Sequence, residues 1–294
     1  MEDLGEAAFI LGIEIKRDRS ARTLSIGQPA YISSVLQRHR MADCKPISTP
    51  MDRNNYSQLV KSPANYTATL EATREYQSIV GGVMFAMLCT RPDIAFAVTT
   101  LAQFASNPSP VHVTALRRLL RYLRGTIDQT ITYTGIGDAH LQPTLVGYSD
   151  ADWGQSTADR RSVTGYAFLL AGGSISWQTV ALSTVEAEYM AATQSTKEAL
   201  WWRSTMHGLG YGTDQPTSLL SDSQGAIALA KNPEHHARTK HIDIQYHFTR
   251  ERVADGSIAL AFVGTEDMAA DVLTKALESP AHSKAMRQLG MQGI

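Results

Sequence analysis

Cysteine is scarce. Cys44 and Cys89 are the only two in 294 residues, too few for a disulfide framework or a thiolate zinc site, so both are expected as free thiols in a reducing compartment. Neither sign of charge dominates, with 27 Lys and Arg against 28 Asp and Glu, and any surface for nucleic acid must therefore be local. Long apolar runs are missing too. The most apolar stretch, Ile79–Cys89, is too short to span a bilayer and is closed by Arg91-Pro92, which predicts a core helix and no membrane partner. The start shows no charged segment followed by an apolar run, so no secretion signal is expected. What remains is a globular composition, 43% hydrophobic and 19% charged, with length enough for two domains.

Along the chain, Leu11, Ile13 and Ile15 alternate with small or charged residues, and Leu24 and Ile26 repeat the pattern, which predicts a β-hairpin turning near Asp18 to Ala21. Pro29 opens a helix with Ile32, Val35 and Leu36 on one side and Arg38 and Arg40 at its end. Residues 45–72 are rich in Pro, Asn, Ser and Thr and predict a long loop. Helices are expected over 75–89 and 94–104, and again in HVTALRRLLRYLRG. There Leu116, Leu119, Leu120 and Leu123 share one face while Arg117, Arg121 and Arg124 share another. A solvated charged face is the plain explanation of that stripe; a phosphate-facing one is the functional alternative.

Residues 125–142 are weakly patterned, and the boundary falls there, between domains 1–135 and 136–294. Beyond it come a strand over 145–149, a hairpin GYAFLLAGGSISW turning at Gly172-Gly173, and a helix over 183–207. A strand over 218–221, helices over 224–231 and 240–253, a strand over 258–263 and a final helix from Thr265 complete the order β-β-β-α-β-α-α-β-α. That order predicts an α/β fold, a mixed five-stranded sheet flanked by helices. The mainly helical first domain with its hairpin precedes it.

Two aspartates sit where predicted strands stop, Asp150 in YSDADWG and Asp222 in SLLSDSQGA, the place where open α/β sheets gather their ligands. Glu188 in STVEAEYMAA and Asp271 in EDMAADVLTKAL are candidate partners. Glu186 competes with Glu188, because residues two apart on a helix face different ways and only one can meet the sheet; Val185, Tyr189 and Ala192 on the side of Glu188 favour Glu188. Close carboxylate pairs repel by roughly 4 kcal/mol at about 4 Å and an effective dielectric near 20. Such a cluster needs cations, and an all-oxygen set suits Mg²⁺ or Mn²⁺. Asp152 reads as a supporting or turn residue and Asp267 as a helix cap. His235, His236, His241 and His247 lack cysteines at finger spacing, so zinc is not expected. Arg238, Lys240 and His241 are candidates for backbone phosphates.

These stretches, with RRSVTGYAFLLAGGSISW, LLSDSQGAIALAKNPEHHARTKHIDIQYHF and DVLTKAL, resemble the ribonuclease H domain of copia-type retrotransposon polyproteins. Upstream, DLGEAAFILGIEI, YQSIVGGVMFA, CTRPDIAFAV and ALRRLLRYLRGT resemble the C-terminal part of the same family's reverse transcriptase. The resemblance implies a ribonuclease H-like second domain after a reverse transcriptase remnant. It implies a catalytic, metal-binding tetrad of Asp150, Glu188, Asp222 and Asp271 holding two Mg²⁺, with Mn²⁺ as the alternative ion. The implied reaction is hydrolysis of the RNA strand of an RNA/DNA hybrid, in the cytoplasm within a virus-like particle or in the nucleus, alongside the upstream polymerase part of the polyprotein.

Three departures from the family pattern carry consequences. Only Gln178 separates Trp177 from Thr179, where the family has several more residues including a lysine pair, which predicts a shortened third strand or exit. Cellular ribonucleases H carry a histidine shortly before the last aspartate, and none lies between Val263 and Asp271 here, which points to slow or absent turnover. The paired aspartates of the polymerase palm do not occur, and Asp93 is no substitute, so DNA synthesis is not expected. A decayed fragment that at most binds nucleic acid is the alternative to an active nuclease.

Overall fold

The computed structural model describes residues 5–135, 144–152, 162–182, 187–231 and 240–293. In chain order, strands β1 (Phe9–Ile10), β2 (Ile13–Asp18) and β3 (Thr23–Gly27) lead into helices α1 (Pro29–Arg38), α2 (Leu70–Cys89), α3 (Ala95–Ala102) and α4 (Pro110–Gly125), then β4 (Gln129–Thr134). After them come β5 (Val146–Asp152), β6 (Ser162–Leu170), β7 (Gly173–Leu182), α5 (Ala187–Gly208), β8 (Thr217–Ser221), α6 (Gln224–Lys231) and α7 (Lys240–Ala254). The chain closes with β9 (Ile258–Phe262), α8 (Asp271–Thr274), α9 (Ser279–Gln288) and β10 (Met291–Gly293). Two units result, Met1–Gly135 with Ala276–Ile294, and Ile136–Lys275.

The first unit holds an antiparallel sheet in the order β1-β2-β3-β4-β10. Ile15, Ile26, Ile131 and Met291 stand opposite one another across four of its strands, an apolar ladder that fixes register. The sequence shows only the hairpin of this sheet; β4 alternates Thr130 and Thr132 with Ile131 and Tyr133 and looks polar until paired. The helices bury the stripes their spacing predicts, Ile32, Val35 and Leu36 on α1 and Leu116, Leu119, Leu120 and Leu123 on α4. The second domain was expected to run from 136 to 294, but α9 and β10 belong with the first unit. Leu289 and Met291 are buried there, and His282 of α9 donates from Nε2 to the Asp93 carbonyl at 3.3 Å.

Beneath α9 lies a buried ion pair. Arg91 donates to both carboxylate oxygens of Asp93, at 2.9 and 2.7 Å, and to the carbonyl and hydroxyl of Thr126. The Tyr122 hydroxyl completes the cage at 2.6 Å from Asp93. With its oxygens so engaged, Asp93 is a structural anion.

In the second unit the sheet order is β7-β6-β5-β8-β9, with β5, β8 and β9 parallel and β6 antiparallel to both neighbours. Phe168, Leu219, Ile258 and Leu260 from the sheet pack with Ala199 of α5 and Ile227 of α6. The β6–β7 turn sits one residue earlier than expected, at Ala171-Gly172, where both residues have positive φ, the conformation a two-residue hairpin requires. The third strand, β7, extends over ten residues, and the exit after it, 183–186, where shortening was the alternative expectation, lies outside the described residues. The expected helix from Thr265 is instead a 3₁₀ turn, Thr265–Asp267, followed by the four-residue α8. Among the described residues no helix is long and apolar enough to cross a membrane, and Cys44 and Cys89 are both free.

Candidate metal centre

Three carboxylates from distant stretches meet at one end of the second sheet. Asp150 lies on β5 opposite Gly165 of β6, Asp222 follows the last residue of β8, and Asp271 begins α8. One oxygen from each falls within 4.8 Å of the others. The parallel pair β5 and β8 explains why: both strands deliver their C-terminal ends to the same edge, at the point where the strand order reverses. Gly165 makes room for α8, because a Cβ there would lie 2.9 Å from Leu273 Cβ and 2.9 Å from Thr274 Cγ2.

Hydroxyls and one cation orient the acids. The buried Asp150 accepts a short hydrogen bond at Oδ2 from Thr274 Oγ1. Asp222 accepts at Oδ2 from Thr265 Oγ1 at 3.1 Å. Lys275 Nζ lies 2.8 Å from Asp271 Oδ1 and 3.4 Å from Asp150 Oδ2. Burial, then the charge of Asp150, pushes the Asp271 carboxyl up to about 7, while Lys275 pulls it the other way. Burial alone would lower the Lys275 ammonium, but Asp150 and Asp271 overcome it and hold the amine above its ordinary value. A carboxyl that resists ionising beside two others marks a site short of positive charge.

Of the sequence candidates, Asp150, Asp222 and Asp271 come together. Glu188 falls in the first turn of α5, which packs against β5 and β6, with its side chain outside the described residues; Glu186 lies outside them altogether. The strand does not stop at Asp150 but continues to Asp152, paired with Val163, so Asp152 shares the face of Asp150 and its charge reaches Lys275. Asp267 ends the 3₁₀ turn and caps no long helix. Arg238, His235 and His236 lie outside the described residues, as do the side chains of Lys240 and His241, which open α7; His247 is exposed.

On α4 the arginine stripe has partners within its own unit. Arg121 Nε donates to the Lys45 carbonyl at 2.8 Å and Arg124 Nε to the Ala42 carbonyl at 2.6 Å, pinning the start of the long loop. Arg117 is exposed and lines a cleft of ≈ 580 Å³ with Arg118 and Arg121. Sequence reasoning passed over Lys275, although a lysine four residues after an acid on a helix was there to see.

Strand order, strand directions and the clustered acids define an α/β unit whose mixed five-stranded sheet carries a carboxylate cluster at one edge. No protein-family model matches the chain. The retrovirus-related Pol polyprotein from transposon TNT 1-94 of Nicotiana tabacum is 42% identical over 299 residues, covering 99% of this chain and 22% of that protein. The one from transposon RE1 of Arabidopsis thaliana is 36% identical over 300 residues, covering 100% of this chain and 20% of that protein. Among solved structures, LC11-RNase H1 in complex with RNA/DNA hybrid aligns over 45% of this chain and 94% of its own, at 11% identity and a TM-score of 0.35. Over nearly its whole length the chain is similar to one part of the retrovirus-related Pol polyproteins of transposons, and it spans about a fifth of the length of these relatives.

Proposed function

We propose that the second unit is the ribonuclease H of a copia-type retrotransposon, a metal-dependent endonuclease that hydrolyses the RNA strand of RNA/DNA hybrids. The first unit is then the C-terminal part of the adjoining reverse transcriptase. The observation that carries the proposal is the meeting of Asp150, Asp222 and Asp271 with oxygens within 4.8 Å. Three carboxylates, one of them pushed toward neutrality, with soft ligands absent from the set, fit hard divalent cations. Asp150, Asp222 and Asp271, joined by Glu188 from α5, would hold two Mg²⁺, or Mn²⁺ in their place. When bound, such a pair makes water a stronger nucleophile and offsets charge on the leaving 3′ oxygen.

The chain's own residues supply position. Thr274 and Thr265 fix the Asp150 and Asp222 carboxylates by hydrogen bonds, and the sheet edge beneath them keeps the acids from drifting apart. The hybrid is held through backbone phosphates and told from DNA by its 2′-hydroxyls. Arg238, Lys240 and His241 are the proposed phosphate contacts of this unit; Arg117, Arg121 and Arg124 are proposed, separately, for the first.

The test is cleavage of an end-labelled hybrid. Wild-type protein with Mg²⁺ is expected to cut the RNA strand, and Asp222→Asn or added chelator to abolish cutting. Equal cutting by wild type and variant would assign the activity to a contaminant, and no cutting by either would remove the nuclease assignment.

A further inference from the structure

Lys275 is the one cation seated among the described acids of this site. Its ammonium contacts Asp271 Oδ1 at 2.8 Å and lies 3.4 Å from Asp150 Oδ2, and its side chain is only 20% exposed. It follows α8 directly, and its backbone N–H bonds to the Asp271 carbonyl at 3.0 Å, so the acid and the amine are held on one turn of chain. Two of the three clustered carboxylates thus share one monovalent cation. A divalent ion on those same oxygens and an ammonium within hydrogen-bond reach of them would be like charges in near contact. The flexible four-carbon stem lets the amine leave while the backbone stays.

Resting on the metal-dependent reading above, we propose that Lys275 is a positioning residue that acts as a built-in counter-ion: it holds Asp150 and Asp271 together before a divalent ion arrives, and is displaced by that ion. Two opposite effects follow from one residue. Lys275 steadies the metal-free site, and it weakens metal affinity by competing for the same oxygens. An arginine at 275 keeps the charge and preserves both effects; a methionine keeps the apolar stem and removes both.

The experiment titrates Mn²⁺ calorimetrically into chelator-stripped protein, as wild type, Lys275→Met and Lys275→Arg, and melts each in chelator and in saturating Mn²⁺. The Met variant is expected to bind Mn²⁺ roughly tenfold or more tightly than wild type, because a like charge has been removed from the site. It should melt below wild type in chelator, and saturating Mn²⁺ should close the gap. The Arg variant should follow wild type in both measurements. Equal or weaker binding by the Met variant, including no binding by either protein, or an unchanged melt in chelator, overturns the proposal. Hybrid cleavage is scored separately: a Met variant with raised Mn²⁺ affinity in a protein that cuts no hybrid sinks the nuclease reading and leaves the role of Lys275 standing.

Discussion

Asp271 differs from an ordinary surface aspartate in what ionisation costs it. Its carboxyl is pushed up to about 7, by burial first and then by Asp150. Between the usual carboxylate range and about 7, the folded protein therefore holds a proton that the unfolded chain has released, and stability falls as pH rises through that window. The loss amounts to about 1.4 kcal/mol per pH unit of displacement. Asp271→Asn removes the effect. In chelator, the difference in melting temperature between Asn variant and wild type should widen from pH 4.5 to pH 7.5, and Mg²⁺ should narrow it by giving the ionised acid a partner. A difference that stays flat across the window would contradict the raised carboxyl. At this scale the acids were legible in the sequence, since Asp150 and Asp222 each come directly after strand-forming residues, although β5 runs on to Asp152. Lys275 was not, because a helical acid–lysine pair is ordinarily a surface bridge of small consequence, and only the fold shows that this one reaches Asp150.

The contact between β6 and α8 sets the site at the level of elements. α8 is too short to place itself, and it lies against β6 because Gly165 offers no side chain. Gly165→Ala would put a methyl within 2.9 Å of Leu273 and Thr274, overpacking worth about 1–3 kcal/mol. The displaced helix carries Asp271, Thr274 and Lys275 with it. Mn²⁺ affinity and hybrid cleavage should both fall in the alanine variant, while an unchanged affinity would show that α8 tolerates the shift. Element order in the second unit was readable in advance, because its strands are apolar and its helices begin after clear breaks. The first unit's sheet was less so: β4 buries Thr130 and Thr132, whose hydroxyls find partners in Gln292 and Ser25, so a polar-looking segment is a central strand. The single helix expected from Thr265 breaks because Met268, Ala269 and Ala270 turn inward and are buried before α8 begins.

For the whole molecule, the last stretch of chain matters most to the unit it does not follow. Leu289 is fully buried, and β10 adds a strand beside β4. Leu289→Ala should cost about 2–5 kcal/mol, visible as faster amide hydrogen exchange in β4 and α4. Unchanged exchange there would mean the tail is a dispensable cover. No periodicity announces this return, because a ten-residue amphipathic helix and a three-residue strand carry no address for the surface they complete; the boundary near 135 is written in composition, whereas the one at 275 is written only in packing.

That second crossing has a genetic consequence. The unit that holds the clustered acids is an insertion, its sequence flanked on both sides by that of another folded unit. A stop codon arising just past Lys275 would spare every proposed metal ligand, yet it would strip the neighbouring body of its edge strand and of the helix over Asp93. Damage past Lys275 is thus felt first by the unit whose sequence begins before the metal site.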